Sequence, residues 1–247
     1  MSVIAGNWKM HLGPERTRAF FAALALDDVP GDRELIVFPP AVSLVSAREA
    51  PGRDPRVQLG VQNIHWEDEG AFTGEVSAPL AVEAGASFAL VGHSERRHLF
   101  GETDDEVARK VGAARRHGLV PLVCLGETLE QRRAGRVDAV ILRQLDAVLE
   151  ALGTAGRSLI AYEPVWAIGT GETATPEDAS RAHATLRVRL AEAWGKGAAA
   201  RVPLLYGGSV KPENAAELLA APDVDGVLVG GASLDPGSFA RIAAAGS

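Results

Sequence analysis

Eight short apolar runs rich in β-branched residues recur along the chain at intervals of roughly 30 residues, with helix-patterned segments between them. They lie near Val3 to Ala5, Leu35 to Phe38, Val57 to Val61, Phe88 to Val91, Val120 to Cys124, Leu159 to Tyr162, Val202 to Tyr206 and Val227 to Val229. A strand that is apolar throughout has to be covered on both faces, and a strand-helix-strand repeat joins its neighbours in parallel, so the pattern reads as βα units around a parallel sheet. Eight runs suit a closed barrel, although an open doubly wound sheet satisfies the same periodicity. No linker or low-complexity stretch divides the 247 residues, and one domain over 1–247 is the simpler expectation.

Local signals place several helices. Thr103 with Glu106 and Thr175 with Asp178 have the spacing of capping boxes, and Pro176, Pro212 and Pro236 suit first helical positions. Ala19 to Leu26 reads as a helix ending at Asp27 and Asp28. No apolar stretch approaches the roughly 18 residues that span a bilayer. Met1 to Ala5 runs directly into strand-like sequence, so no export signal is expected and a cytoplasmic location follows. Cys124 is the only cysteine, which excludes an intrachain disulfide and suits a small buried apolar residue. The formal charge of −7 argues against nucleic acid or an anionic membrane as partner. It also obliges any site for an anion to supply cations or backbone N–H groups locally.

In either architecture functional groups gather at the carboxyl ends of the strands. Just past the runs stand Asn7 and Lys9, His93 to Arg97, Glu163, the turn Gly207-Gly208-Ser209 and the turn Gly230-Gly231. A base, a proton shuttle, a cation and two glycine-rich turns are what a reaction on a small phosphorylated carbonyl compound requires. An isolated Glu-Pro pair is an ordinary surface loop. Here, however, Pro164 stiffens the chain after Glu163, Trp166 supplies a bulky apolar handle, and Gly169 and Gly171 can absorb backbone change, as in a lid over a base. Alternation after the first run could send Asn7 and Lys9 to one side and Trp8 to the other. Ser94 and Glu95 could open a helix beside His93, whose N–H groups would favour a neutral ring.

Other chemistries lack support. Gly169 to Ala174 loosely fits a dinucleotide fingerprint, but Pro164 to Ile168 intervene between strand and glycines, and no such cofactor is expected. The histidines are scattered, and His65 with Glu67, Asp68 and Glu69 reads as a solvated acidic loop, so no metal is expected. No serine stands in a nucleophile elbow.

With those residues in hand, the chain resembles the triosephosphate isomerase family over essentially its whole length. The motifs are Gly6-Asn7-Trp8-Lys9-Met10, Gln62-Asn63, Gly70 to Glu75, Gly92-His93-Ser94-Glu95-Arg96-Arg97, Cys124-Leu125-Gly126-Glu127, the Glu163 loop, Tyr206 to Val210 and Gly230-Gly231-Ala232-Ser233. The resemblance implies a single-domain eight-stranded parallel (β/α)8 TIM barrel, no cofactor, and isomerisation of a small phosphorylated triose in glycolysis and gluconeogenesis. It implies Glu163 as base, His93 as neutral electrophile, Lys9 and Asn7 as enediolate stabilisers, and Glu95 and Cys124 as supporting residues. Gly169, Ser209, Gly230 and Gly231 would hold the phosphate, and a homodimer would insert the Thr73 loop beside the partner's site. Glu172 stands where relatives often carry Lys. A phosphate-binding barrel lyase or epimerase, or a non-catalytic barrel scaffold, is the competing expectation.

Overall fold

In a computed structural model the eight runs form eight strands: β1 Val3–Asn7, β2 Glu34–Phe38, β3 Val57–Val61, β4 Phe88–Val91, β5 Val120–Leu125, β6 Leu159–Tyr162, β7 Leu204–Tyr206 and β8 Gly226–Val229. The structure describes residues 2–168 and 174–246, so Gly169, Gly171 and Glu172 lie outside the described residues. Each strand pairs in parallel with the next, and β8 pairs with β1, which closes the sheet and settles the choice between barrel and open sheet. Closure leaves no edge strand.

Period-2 alternation divides the apolar residues into two cores. Val3, Ala5, Ile36, Phe38, Phe88, Leu90, Leu122, Cys124, Leu159, Ala161, Leu205 and Leu228 fill the barrel interior. Their neighbours Ile4, Leu35, Val37, Ala89, Val91, Val123, Ile160, Tyr162, Leu204, Tyr206, Val227 and Val229 belong to the larger core under the helices. Continuing the inward series gives Asn7 after Ala5 as the last residue of β1 and, past the strand ends, Glu163 after Ala161, Gly207 after Leu205 and Gly230 after Leu228. The alternation that fills the barrel thus also aims four positions at its mouth.

The helices start largely as their caps dictate. Both expected capping boxes close, at Thr103–Glu106 and Thr175–Asp178, and Pro176 and Pro236 open their helices. Three boundaries differ. The first helix spans Pro14–Ala23, ending before Leu24, whose extended backbone lets Leu26 fold back into the core. Pro212 is not a first helical residue: Asn214 accepts the Lys211 N–H and donates to the Ser209 carbonyl, holding 212–214 as a turn before the helix Ala215–Ala220. β7 begins at Leu204, after Pro203, which has no N–H for the ladder. No described helix is long and apolar enough to cross a membrane.

Candidate active site

Asn7, Trp8 and Lys9 leave β1 with their side chains sorted as alternation suggests, but Lys9 is not extended: its φ of 50° is left-handed. The Asn7 side-chain oxygen accepts the Lys9 N–H at 3.0 Å, and Gln62 donates to the Lys9 carbonyl at 2.8 Å, so both sides of the unusual residue are tied. Trp8 is fully buried against Phe20 and Phe21 and donates to the Ser233 carbonyl, while Ser233 in turn donates to the Gly230 carbonyl. One tryptophan thereby couples the first strand end to the last. Inside the cleft the Lys9 ammonium meets Glu95 at 2.6 Å.

His93 is out of phase with the inward residues of β4. Gly92, at φ 71°, turns the chain in a conformation that side chains rarely adopt, and brings His93 to the mouth as the N-terminal cap of the helix Ser94–Leu99. Arg97 fixes that helix by donating to the Gly92 and Cys124 carbonyls and pairing with Asp104. The Glu95 N–H donates to His93 Nδ1 at 3.2 Å, so Nδ1 offers a lone pair and the proton resides on Nε2.

Glu163, only 1 % exposed, extends from β6 between two neighbouring strands: its N–H donates to the Leu125 carbonyl, while the Gly207 N–H donates to the Tyr162 carbonyl. Its Oε1 lies 3.0 Å from His93 Nε2, and its Oε2 accepts the Ser94 N–H at 2.9 Å. Burial raises the Glu163 pKa most strongly, but His93, the Ser94 N–H and Lys9 together outweigh it, and the net direction is down. For His93 burial is again the largest influence and lowers the pKa; the carboxylates of Glu163 and Glu95 reverse it to a net rise. The local N–H field anticipated in the sequence therefore does not set the ring's charge while Glu163 sits against it. The Cys124 thiol is pushed well up, by burial first and then by the charge of Glu163.

The base of the Glu163 loop is anchored. Glu127 accepts from Tyr162 Oη at 3.1 Å and from Trp166 Nε1 at 2.8 Å, and Arg132 stacks 4.2 Å from the Trp166 ring. Trp166 is thus a buried pin as well as an apolar handle. Burial chiefly raises the pKa of Glu127, against its hydrogen bonds.

A cleft of about 300 Å³ gathers Asn7, Lys9, His93, Glu163, Ser209, Gly230 and Gly231. Glu95 stands behind Lys9, and Cys124 behind Glu163. Thr73 is elsewhere, in a second cavity with Phe72, Arg96 and Phe100. Gly169 lies outside the described residues. The cleft also contains Lys211 and Ile168, which the sequence reading passed over; Lys211 could have been found from its place two residues after Ser209. Among the described residues no three His, Cys, Asp or Glu side chains form a metal-binding group. His65 instead stacks on Trp66 and accepts the Glu67 N–H.

The cleft therefore has a reactive end, with a carboxylate, an imidazole and an ammonium, and an end of small-residue turns where backbone can approach an anion. A family model described as triosephosphate isomerase matches residues 2–246. Among curated proteins the chain is 51 % identical to the triosephosphate isomerase of Symbiobacterium thermophilum, covering 98 % of this chain and 96 % of that protein. It is 52 % identical to that of Halorhodospira halophila, covering 97 % and 96 %. It is 50 % identical to that of Rubrobacter xylanophilus, covering 97 % and 95 %.

Proposed function

The chain belongs to the triosephosphate isomerase family and interconverts D-glyceraldehyde 3-phosphate and dihydroxyacetone phosphate in glycolysis; from that premise we propose how its own residues carry the reaction. Glu163 takes a proton from the carbon beside the carbonyl and returns it to the neighbouring carbon. His93 exchanges protons with the two oxygens, and Lys9 and Asn7 stabilise the charge that develops on the enediolate. The pairing of a carboxylate base with a neutral histidine at a helix N-terminus is the family's established arrangement, taken over here onto Glu163 and His93. The turns at Ser209 and at Gly230-Gly231 hold the phosphate through backbone donors, with Gly169 assigned to the same task.

The observation that carries this reading is the 3.0 Å pairing of Glu163 with His93 at the wall of the cleft. The carboxylate rests on His93 and Ser94, so its side chain has to turn toward the substrate before it can act. That turn removes the larger of the two carboxylate influences that raise the His93 pKa and leaves only the weaker one of Glu95. Burial, the largest influence of all, then acts with the Lys9 charge against Glu95 and favours the neutral ring that a hydrogen-bond donor to the oxygens requires. A coupled assay with D-glyceraldehyde 3-phosphate in the presence of chelator tests the reading: turnover by the wild type and its loss in Glu163→Gln are expected. A metal-requiring activity, or none, would return the lyase and scaffold alternatives.

We further propose a cytoplasmic homodimer. Of the nine large hydrophobic side chains left exposed among the described residues, eight lie between Met10 and Phe100. Met10 and Phe100 also rim a hollow of about 190 Å³ backed by Asn7, Lys9 and His93. The exposed Thr73 loop of a second copy is the proposed occupant of that hollow.

A further inference from the structure

We propose that Lys211 is a steering residue for the phosphate end of the substrate, a role that rests on the isomerase reading above. The cleft is lined by two lysines and one carboxylate. Lys9 is not free to attract a distant anion, because its ammonium is committed to Glu95 at 2.6 Å. Lys211 makes no ion pair among the described residues, is exposed, and shares the cleft's phosphate end with Ser209, Gly230 and Gly231. Glu163 in the cleft and Glu95 behind Lys9 set two formal negative charges against the two formal positive charges of Lys9 and Lys211, and the four balance. Without Lys211 a net negative cleft, on a chain of formal charge −7, would confront a phosphate dianion.

The root of this lysine is fixed even though its ammonium reaches solvent. Asn214 accepts the Lys211 N–H at 2.8 Å and donates to the Ser209 carbonyl at 3.0 Å, which locks the short arc between the phosphate turn and the lysine. Pro212, the next residue, restricts the Lys211 backbone from the other side. The cation therefore stays beside the turn, and its long side chain can follow the phosphate inward. Its effect is on capture, since it faces the remote end of the substrate and not the carbons that exchange a proton.

Steady-state kinetics of Lys211→Ala, Lys211→Glu and Lys211→Arg at about 0.02 M and about 0.2 M salt tests this, because screening over roughly 8–10 Å should erase a steering effect. At low salt kcat/KM should fall about fivefold in the alanine variant and further in the glutamate variant, as one unit charge acting on a dianion at about 8 Å through water predicts. Arginine should restore it, kcat should stay within about twofold of wild type, the deficit should shrink at high salt, and the inhibition constant of inorganic phosphate should rise in parallel. Unchanged kcat/KM in Lys211→Glu at low salt would overturn the proposal, as would a loss of kcat that salt does not relieve. An inactive wild type would instead overturn the isomerase reading on which it rests.

Discussion

Glu163 has its main chain fixed before its carboxylate does anything. A Cβ on Gly126 would lie 1.7 Å from the Glu163 carbonyl oxygen, and one on Gly207 would lie 2.9 Å from its Cγ. The base thus stands between two positions that admit no side chain. Gly126→Ala should push β5 and β6 apart at that point, lowering urea stability by about 1–3 kcal/mol or more, as overpacking does. The same change should reduce kcat, because the displaced backbone is the one that carries the base; a variant with wild-type kcat would show that Glu163 tolerates the shift. A more conservative test moves only the carboxylate. Glu163→Asp retracts it by about 1 Å and should cost about 10²-fold in kcat with KM little changed. Full kcat in that variant would exclude Glu163 as the base. At this scale the sequence was legible where alternation governs, since Asn7 and Glu163 simply continue the inward series of their strands. It was silent where a remote neighbour governs: nothing around Gly126 shows that the residue it must avoid is Glu163.

Among the helices, local chemistry decided the boundaries more often than apolar periodicity did. Thr103 accepts the Glu106 N–H while Glu106 accepts the Thr103 N–H, a closed exchange that the spacing alone made readable. Thr103→Ala should cost about 1 kcal/mol in urea unfolding. Pro212 misled because the three residues before the helix are organised by the Asn214 side chain, a contact with no periodic signature. The helix Pro176–Trp194 also buries a titratable group that the sequence did not mark. His183 is fully buried, its Nδ1 lies 2.8 Å from the Asp223 carbonyl, and its Nε2 has no partner among the described residues. Burial, the largest influence, pushes its pKa from 6.5 down to about 4. Between those values the unfolded chain binds a proton that the native state refuses, so this contribution is complete above about pH 6.5 and is lost as pH falls toward about 4. The drop amounts to about 3 kcal/mol. Urea titrations at several pH values should show it, and His183→Gln, which cannot protonate, should show a shallower slope over that range. Equal slopes would mean that His183 charges in the native state.

The whole molecule has an asymmetry that a symmetrical barrel does not require. The exposed large hydrophobic residues Met10, Val42, Val45, Phe72, Leu80, Val82, Leu99 and Phe100 all belong to the first half of the chain, while among the described residues Val188 is the one on the other half. Shared cavities link five of them: Val42 and Met10 line one, Met10 and Phe100 a second, Phe100 and Phe72 a third, and Phe72 and Leu80 a fourth. A chain of exposed apolar side chains set among charged neighbours, as the linings of these cavities show, suits a specific interface with a polar surround. The second of these cavities shares Asn7, Lys9 and His93 with the substrate cleft, so an occupant there would brace both functional side chains. Assembly and catalysis should therefore fail together. Met10→Glu combined with Phe72→Glu places charge at two points of the face without touching the cleft. The double variant should sediment as a monomer and lose about 10²-fold in kcat, the scale of cost that attends loosely held catalytic groups. Val188→Glu, an equal change of polarity on the other half of the barrel, should leave both mass and kcat at wild-type values. Sedimentation and kinetics on the same samples decide the matter. A fully active monomer would refute the bracing argument, whereas a double variant that remains dimeric would place the interface on some other face.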